Sequence, residues 1–290
     1  MTSERVVVAI GGHALAHSPG APPQEQAEAV ESAVGPIADL IVDGYELALT
    51  HGNGPQVGNL LLKNQVARDV VPAVPLDWCV AQTQGTLGYL ITTALERAMA
   101  GRGEQRAIAT ILTRVLVDRD DEAFSRPTKP IGRERVLVPS PRPVRILDEH
   151  TIVHLLDDGA VVVAAGGGGV PMVLDHGILH GVEAVIDKDR TASLLASKVG
   201  AQSLVIATDV DGVAVGHGTA AEQWLDRTTP AELRGMLASG MLDPGSIGPK
   251  VEACIEFVES GGRRAVIAPL AKLGDALHGR AGTVIEGAAA

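Results

Sequence analysis

Short, almost wholly apolar runs recur along this chain, at Val6–Ile10, Glu46–Thr50, Ala107–Leu112, Ala160–Ala165, Ser203–Ala207 and Ala265–Ala268. A strand with one wet face alternates apolar and polar residues. A run without that alternation is buried on both faces, as in a parallel sheet covered by helices. The intervening segments supply the helices. Val30, Val34, Ile37 and Ile41 recur at helical spacing and stop at Gly44, with Pro36 predicting a kink or a break inside the run. Ala192, Leu195, Ala196 and Val199 form a second stripe closed by Gly200, and Val251, Cys254, Ile255 and Val258 form another ending at Gly261-Gly262. Thr229-Pro230-Ala231-Glu232 reads as an N-cap, an N1 proline and a capping-box glutamate. Alternating strand and helix predicts an α/β fold of three layers, αβα, around a central and mostly parallel sheet.

One stretch breaks the pattern. Residues from about 115 to 147 are rich in Pro, Arg and Asp and carry their own apolar run, Val136–Val138. This reads as an insertion forming a small β-subdomain or lid, with a flexible linker as the competing reading. At 290 residues the chain has room for one large α/β domain or two lobes. Aromatic residues are only 2%, which excludes a stacking platform for single-stranded nucleic acid. A net charge of −11 argues against nucleic acid or an anionic membrane as partner, yet permits a small anion in a locally basic cleft. Cys79 and Cys254 are too few for a disulfide framework and lie in no CxxC zinc pattern, a usage suited to a reducing cytoplasm. They fall on apolar patterns and read as core thiols, and Trp78 and Trp224 read as packing residues. The N-terminal MTSERVVVAIGG lacks a signal-peptide layout. No run approaches the roughly 18 apolar residues of a membrane helix.

Glycine-rich turns follow the apolar runs: Gly11-Gly12-His13, Gly52-Asn53-Gly54-Pro55 and Gly166-Gly167-Gly168-Gly169. Beyond the carboxyl ends of parallel strands, such turns let backbone N–H groups approach an anion. None sits in a GxGxxG dinucleotide unit, and neither a GxxxxGK[ST] loop nor a protein-kinase catalytic loop occurs. Three lysines have unusual neighbours. Lys129 lies in Pro127-Thr128-Lys129-Pro130, Lys188 between Asp187 and Asp189, and Lys250 in Gly245-Ser246-Ile247-Gly248-Pro249-Lys250. A lysine at a helix start is electrostatically misplaced unless an anion sits there. Phosphoryl transfer is mostly positioning and charge neutralisation, so it calls for this equipment. Asp209-Val210-Asp211-Gly212 offers carboxylates that could orient a lysine or hold Mg²⁺ through water, or simply form an Asx-turn.

The chain resembles the carbamate kinase branch of the amino-acid-kinase family. The resemblance is carried by VVVAIGGHAL (6–15), THGNGPQVGNLLL (50–62), PLDWCVAQTQGTLGYL (75–90) and VLVDRDDEAFSRPTKPIG (115–132). It continues through VVVAAGGGGVP (161–171), GVEAVIDKDRTASLLA (181–196), IATDVDGV (206–213) and GSIGPKVEACIEFVESGGRRAVIA (245–268). It implies one amino-acid-kinase domain over 1–290. The acceptor would bind an N-terminal lobe of about 1–158, which includes the protruding subdomain at 115–147. MgATP or MgADP would bind a C-terminal lobe of about 159–290. By position, Lys129 would reach the transferring phosphoryl group, Lys188 the bridging and terminal phosphates, and Lys250 the transferring group from the nucleotide side. Gly11, Gly12, Gly52, Asn53 and Gly54 would cradle acceptor and phosphoryl group, and Gly166 and Gly167 would line the acceptor pocket. Asp209 would organise the lysines or the metal, Asp211 and Gly248 would border the nucleotide, and Mg²⁺ would be held by phosphates and water rather than a protein metal site.

The implied reaction is carbamoyl phosphate + ADP ⇌ carbamate + ATP, in a homodimeric cytoplasmic enzyme of arginine metabolism. Two departures stand out. His13 replaces the family's usual Asn, and Arg114 its usual Gln. These allow a second reading, a kinase of the same fold acting on another small acid, with His13 either tolerated or adding charge near the acceptor. A third reading is a non-catalytic nucleotide-binding homologue, which would not need all three lysines. His51 reads as positioning its loop rather than as a general base.

Overall fold

The computed structural model describes residues 4–15, 22–132, 135–219, 222–243, 245 and 247–287; the side chain of His13 lies outside the described set. The chain begins β1 (Arg5–Ile10), α1 (Pro23–Val42), β2 (Glu46–His51), α2 (Gly54–Ala67) and α3 (Leu76–Ala100). It continues β3 (Ile108–Thr110), β4 (Arg114–Val117), β5 (Lys129–Ile131), β6 (Val136–Val138), β7 (Pro143–Ile146), α4 (Glu149–Asp157) and β8 (Val161–Val163). Then come β9 (Val170–Asp175), β10 (Ile178–Gly181), α5 (Lys188–Lys198), β11 (Ser203–Thr208), β12 (Val213–Val215) and β13 (Gln223–Leu225). The last elements are β14 (Arg227–Thr228), α6 (Pro230–Ala238), α7 (Gly248–Glu259), β15 (Arg264–Pro269), α8 (Leu273–Leu277) and β16 (Thr283–Glu286).

Eight strands form one sheet in the order β14-β16-β15-β11-β1-β2-β8-β3. Every neighbouring pair is parallel except β15–β16. The unbroken apolar runs explain the layering. Along β1, Val7 and Ala9 join a cluster with residues of α4, α5, α6 and α7, whereas Val6, Val8 and Ile10 join one with α1, α3 and α8. Alternate residues therefore enter opposite cores, and β2, β8 and β11 divide the same way. Helices thus cover both faces, giving the expected αβα arrangement.

α1 runs through Pro36 as one 20-residue helix, so the proline does not break it. Val30, Val34, Ile37, Leu40 and Ile41 are buried on both sides of the proline. Burial at about 1.5–3 kcal/mol per side chain outweighs the roughly 3 kcal/mol cost of one interior proline. Residues 115–147 are no linker. β4 and β7 pair in a second sheet ordered β10-β9-β4-β7, and β5 and β6 form a separate hairpin. That second sheet recruits β9 and β10 from beyond residue 147. Cys79 and Cys254 are fully buried, as expected. Trp78 and Trp224 are not core residues: they are 59% and 39% exposed.

The capping box at α6 is present: Glu232 donates its backbone N–H to Thr229 Oγ1 (3.3 Å), and Thr229 donates its own to Glu232 Oε2 (2.9 Å). Thr229→Ala should lower the unfolding free energy by about 1 kcal/mol, read from chemical denaturation.

Candidate active site

Parallel pairing brings the glycine turns together. β11, β1, β2 and β8 are adjacent and co-directional, so the segments leaving their carboxyl ends share one edge of the sheet. The turns touch through backbone. A Cβ on Gly52 would stand 2.8 Å from the Gly12 nitrogen, and one on Gly166 or Gly167 would collide with the ring of His51 or the amide of Asn53. The glycines at 166 and 167 are therefore required by packing against the second turn, whose Asn53 is itself fixed by donating from Nδ2 to Thr83 Oγ1 (2.9 Å). Gly54 opens α2 behind that asparagine.

The lysines converge on the same edge. Lys188 is the first residue of α5 and Lys250 lies in the first turn of α7. Both donate to one carboxylate: Lys188 Nζ to Asp189 Oδ1 at 2.7 Å and Lys250 Nζ to Asp189 Oδ2 at 3.0 Å. Asp189 is only 4% exposed. Burial alone would raise its pKa, but the two ammonium groups outweigh it and hold the carboxyl below its ordinary range. Lys250 is partly buried, which disfavours its charge, yet Asp189 more than compensates and its pKa is raised. Lys129, brought in by β5, donates to the Ile186 carbonyl at 3.1 Å and to Asp187 Oδ2 at 3.2 Å. Asp187 is also the N-cap of α5, its Oδ1 accepting from the backbone of Asp189 and Arg190. Two carboxylates, two residues apart, thus gather three ammonium groups.

A cleft of about 640 Å³ opens over this cluster, lined by Gly11, Gly12, Lys188, Asp209, Ile247 and Lys250 among others. Among the described residues, Lys188 and Lys250 each make one protein hydrogen bond, leaving two N–H donors apiece for a ligand. A small slot shares Val210 and Ile247 with this cleft and is closed by His217 and Trp224, whose rings meet edge-on at 5.9 Å. Asp209 stands in the wall of the cleft and adds to the field that raises Lys250, but direct lysine pairing falls to Asp187 and Asp189. Asp211 pairs with Lys272 at 3.2 Å on a neighbouring recess. Gly248 starts α7 and donates its N–H to the Asp243 carbonyl at 3.0 Å. A larger recess of about 860 Å³ between α1, α2 and α3 holds none of the three lysines.

Asp187 and Asp189 carry a signal in the sequence only as the Asp-Lys-Asp flanks that keep Lys188 charged and oriented; Lys272, the partner of Asp211, has no such signal and lies on the neighbouring recess. Arg114 is a correction. Rather than adding a free charge for an acceptor, its guanidinium is committed to Asp148, donating from Nη2 to Oδ1 at 2.8 Å. His51 is 1% exposed, its Nδ1 lying 3.1 Å from the Gly52 carbonyl. Burial, with Lys188 nearby, lowers its pKa to about 4, so it is neutral near pH 7.

A parallel αβα sheet whose strand ends gather anion-ready glycine turns and clustered lysines defines a phosphoryl-transfer protein. The chain belongs to the amino acid kinase family, whose sequence model matches residues 4–269. It is 42% identical to the carbamate kinase of Pyrococcus furiosus over 97% of this chain and 99% of that one. Among solved structures it is similar to the carbamate kinase of Giardia, with a TM-score of 0.94, 38% identity, and coverage of 99% and 100%. The Giardia lamblia enzyme bound to AMP-PNP is similarly close, with a TM-score of 0.94, 36% identity, and 99% of each chain covered.

The buried neutral His51 has a consequence for stability. The unfolded chain takes up its proton near pH 6.5 and the folded chain only near pH 4. Its contribution is therefore complete above pH 6.5 and is lost as pH falls toward 4, by about 3 kcal/mol in all. Chemical denaturation at pH 7, 5.5 and 4 should show that loss, and His51→Asn should flatten it. The Asp187 and Asp189 contributions fade only below their unfolded value of 3.8, in a separate window.

Proposed function

We propose that this chain is a carbamate kinase, transferring a phosphoryl group between carbamoyl phosphate and MgADP to give carbamate and MgATP. The observation that carries the reading is the sharing of buried Asp189 by Lys188 and Lys250 over a cleft walled by Gly11 and Gly12. Full-length likeness to carbamate kinases, one of them bound to a nucleotide analogue, supports the substrate class.

In the transfer, the bond from phosphorus to the carbamate oxygen breaks as the bond to the ADP β-phosphate oxygen forms, in line. The moving group spreads charge over its equatorial oxygens, and the ammonium groups of Lys129, Lys188 and Lys250 neutralise it from three sides. The first glycine turn gives the Gly12 N–H to the phosphoryl oxygens, while the Gly52 N–H is held by the Ile10 carbonyl at 3.0 Å and fixes the second turn beside it. Asp187 and Asp189 hold the lysines charged and aimed before substrate arrives, so little reorganisation is left for the chemical step. No general base is required because the acceptor is already an anion, which agrees with a neutral, buried His51. Magnesium enters with the nucleotide as part of the substrate. A cytoplasmic homodimer serving arginine metabolism completes the reading. With Arg114 committed to Asp148, the case for a different acceptor loses one of its two sequence departures.

A coupled assay should show ATP formation from carbamoyl phosphate and MgADP. Lys129→Ala and Lys250→Ala should each lower turnover by about 10²-fold or more, the scale of one lost transition-state charge. Near-normal turnover in either variant contradicts that lysine's role, and nucleotide binding without transfer to any acid points to a non-catalytic homologue.

A further inference from the structure

Lys129 is brought to Ile186 and Asp187, beside the lysine pair, on the β5–β6 hairpin, which pairs with neither larger sheet. The position of its ammonium therefore depends on what fixes the hairpin against the rest of the protein. Part of the hold is apolar: Ile131 and Val138 are buried in one cluster with Val57, Leu76, Cys79 and Val80. Part is the backbone bond from Val185 N–H to the Pro139 carbonyl at 2.9 Å, just past β6, and part is a close approach of backbone to backbone. Gly58 on α2 faces Gly132 at the end of β5. A Cβ on Gly132 would stand 2.7 Å from the Gly58 Cα, and one on Gly58 would stand 2.7 Å from the Gly132 nitrogen and closer still to its Cα. Because the obstructing atoms are main chain on both sides, no side chain can rotate aside, and any added carbon moves the hairpin. Helix formation by itself favours alanine over glycine at position 58 by about 1 kcal/mol, so α2 has no local need for this glycine.

We propose that Gly58 is a positioning residue for the transfer. Its contact with Gly132 sets the height of the hairpin and so places Lys129 between the Ile186 carbonyl and Asp187. This rests on the reading of Lys129 as a group that contacts the transferring phosphoryl. The Lys129 contacts are 3.1 and 3.2 Å long, so a shift of the hairpin by about 1 Å breaks both. A misplacement of that size can cost on the order of 10²-fold in rate.

The test is a double-mutant cycle on the full chain, read as ATP formation from carbamoyl phosphate and MgADP. Gly58→Ala should lower kcat roughly 10- to 100-fold while KM for MgADP changes less than about 2-fold. In a Lys129→Ala background the same substitution should cost less than about 2-fold, because its target is already gone. Gly132→Asn approaches the contact from the other side. Asparagine tolerates the positive φ of 71° at that position while adding a Cβ, and it should reproduce the same non-additive loss. If Gly58→Ala does not fold, the Gly132→Asn cycle decides. Unchanged kcat in the folded glycine variants overturns the inference, as do equal losses with and without Lys129. Near-normal turnover of Lys129→Ala alone overturns the reading beneath it, and the inference with it.

Discussion

A single buried carboxylate, Asp189, holds the site together by accepting from two lysines that start different helices. Each of those lysines sits where a helix dipole repels a cation, so each would turn away from the cleft without a counterion. Asp189 cancels that penalty from inside the protein, and Asp187 does the same for Lys129 while capping α5. The arrangement is charged, desolvated and pre-aimed, which is the condition under which electrostatic stabilisation of a transferring phosphoryl group is most effective.

The sheet makes this convergence possible. Strands buried on both faces align in parallel, and parallel alignment delivers their following turns to one edge. Glycine then lets the first turn press on the second and the third on His51 and Asn53. The neutral state of His51 follows from this packing: a ring sealed under Gly166 has no water to stabilise a proton. Fold and site are thus one consequence of the same apolar runs.

Much of this was legible in the sequence. Val6–Ile10 and Val136–Val138 declared themselves by composition, and Thr229 to Glu232 by cap chemistry. The glycine turns and lysines were visible because their neighbours are unusual. What escaped depended on partners distant in sequence. Asp189 looked like a flank of Lys188 until α7 brought Lys250 to its second oxygen. Arg114 looked available because Asp148 is remote in sequence. Pro36 promised a break, but burial along α1 overrode it. The buried stripe of α3, Leu76, Val80, Leu87, Ile91 and Leu95, is hard to read in the sequence because threonines, glutamines and glycines dilute it. Residue type alone points Trp224 to packing, and only the tertiary fold sets it edge-on to His217 beside a slot.

The central claim is that three ammonium groups grip one polyphosphate chain. A crystal structure with MgADP and a planar mimic of the transferring phosphoryl group tests it most directly. The account predicts Nζ of Lys129, Lys188 and Lys250 within about 3.2 Å of phosphate or mimic oxygens, with the Gly12 N–H facing the mimic. Phosphates bound in another recess, or a mimic that none of the three lysines touches, would contradict it.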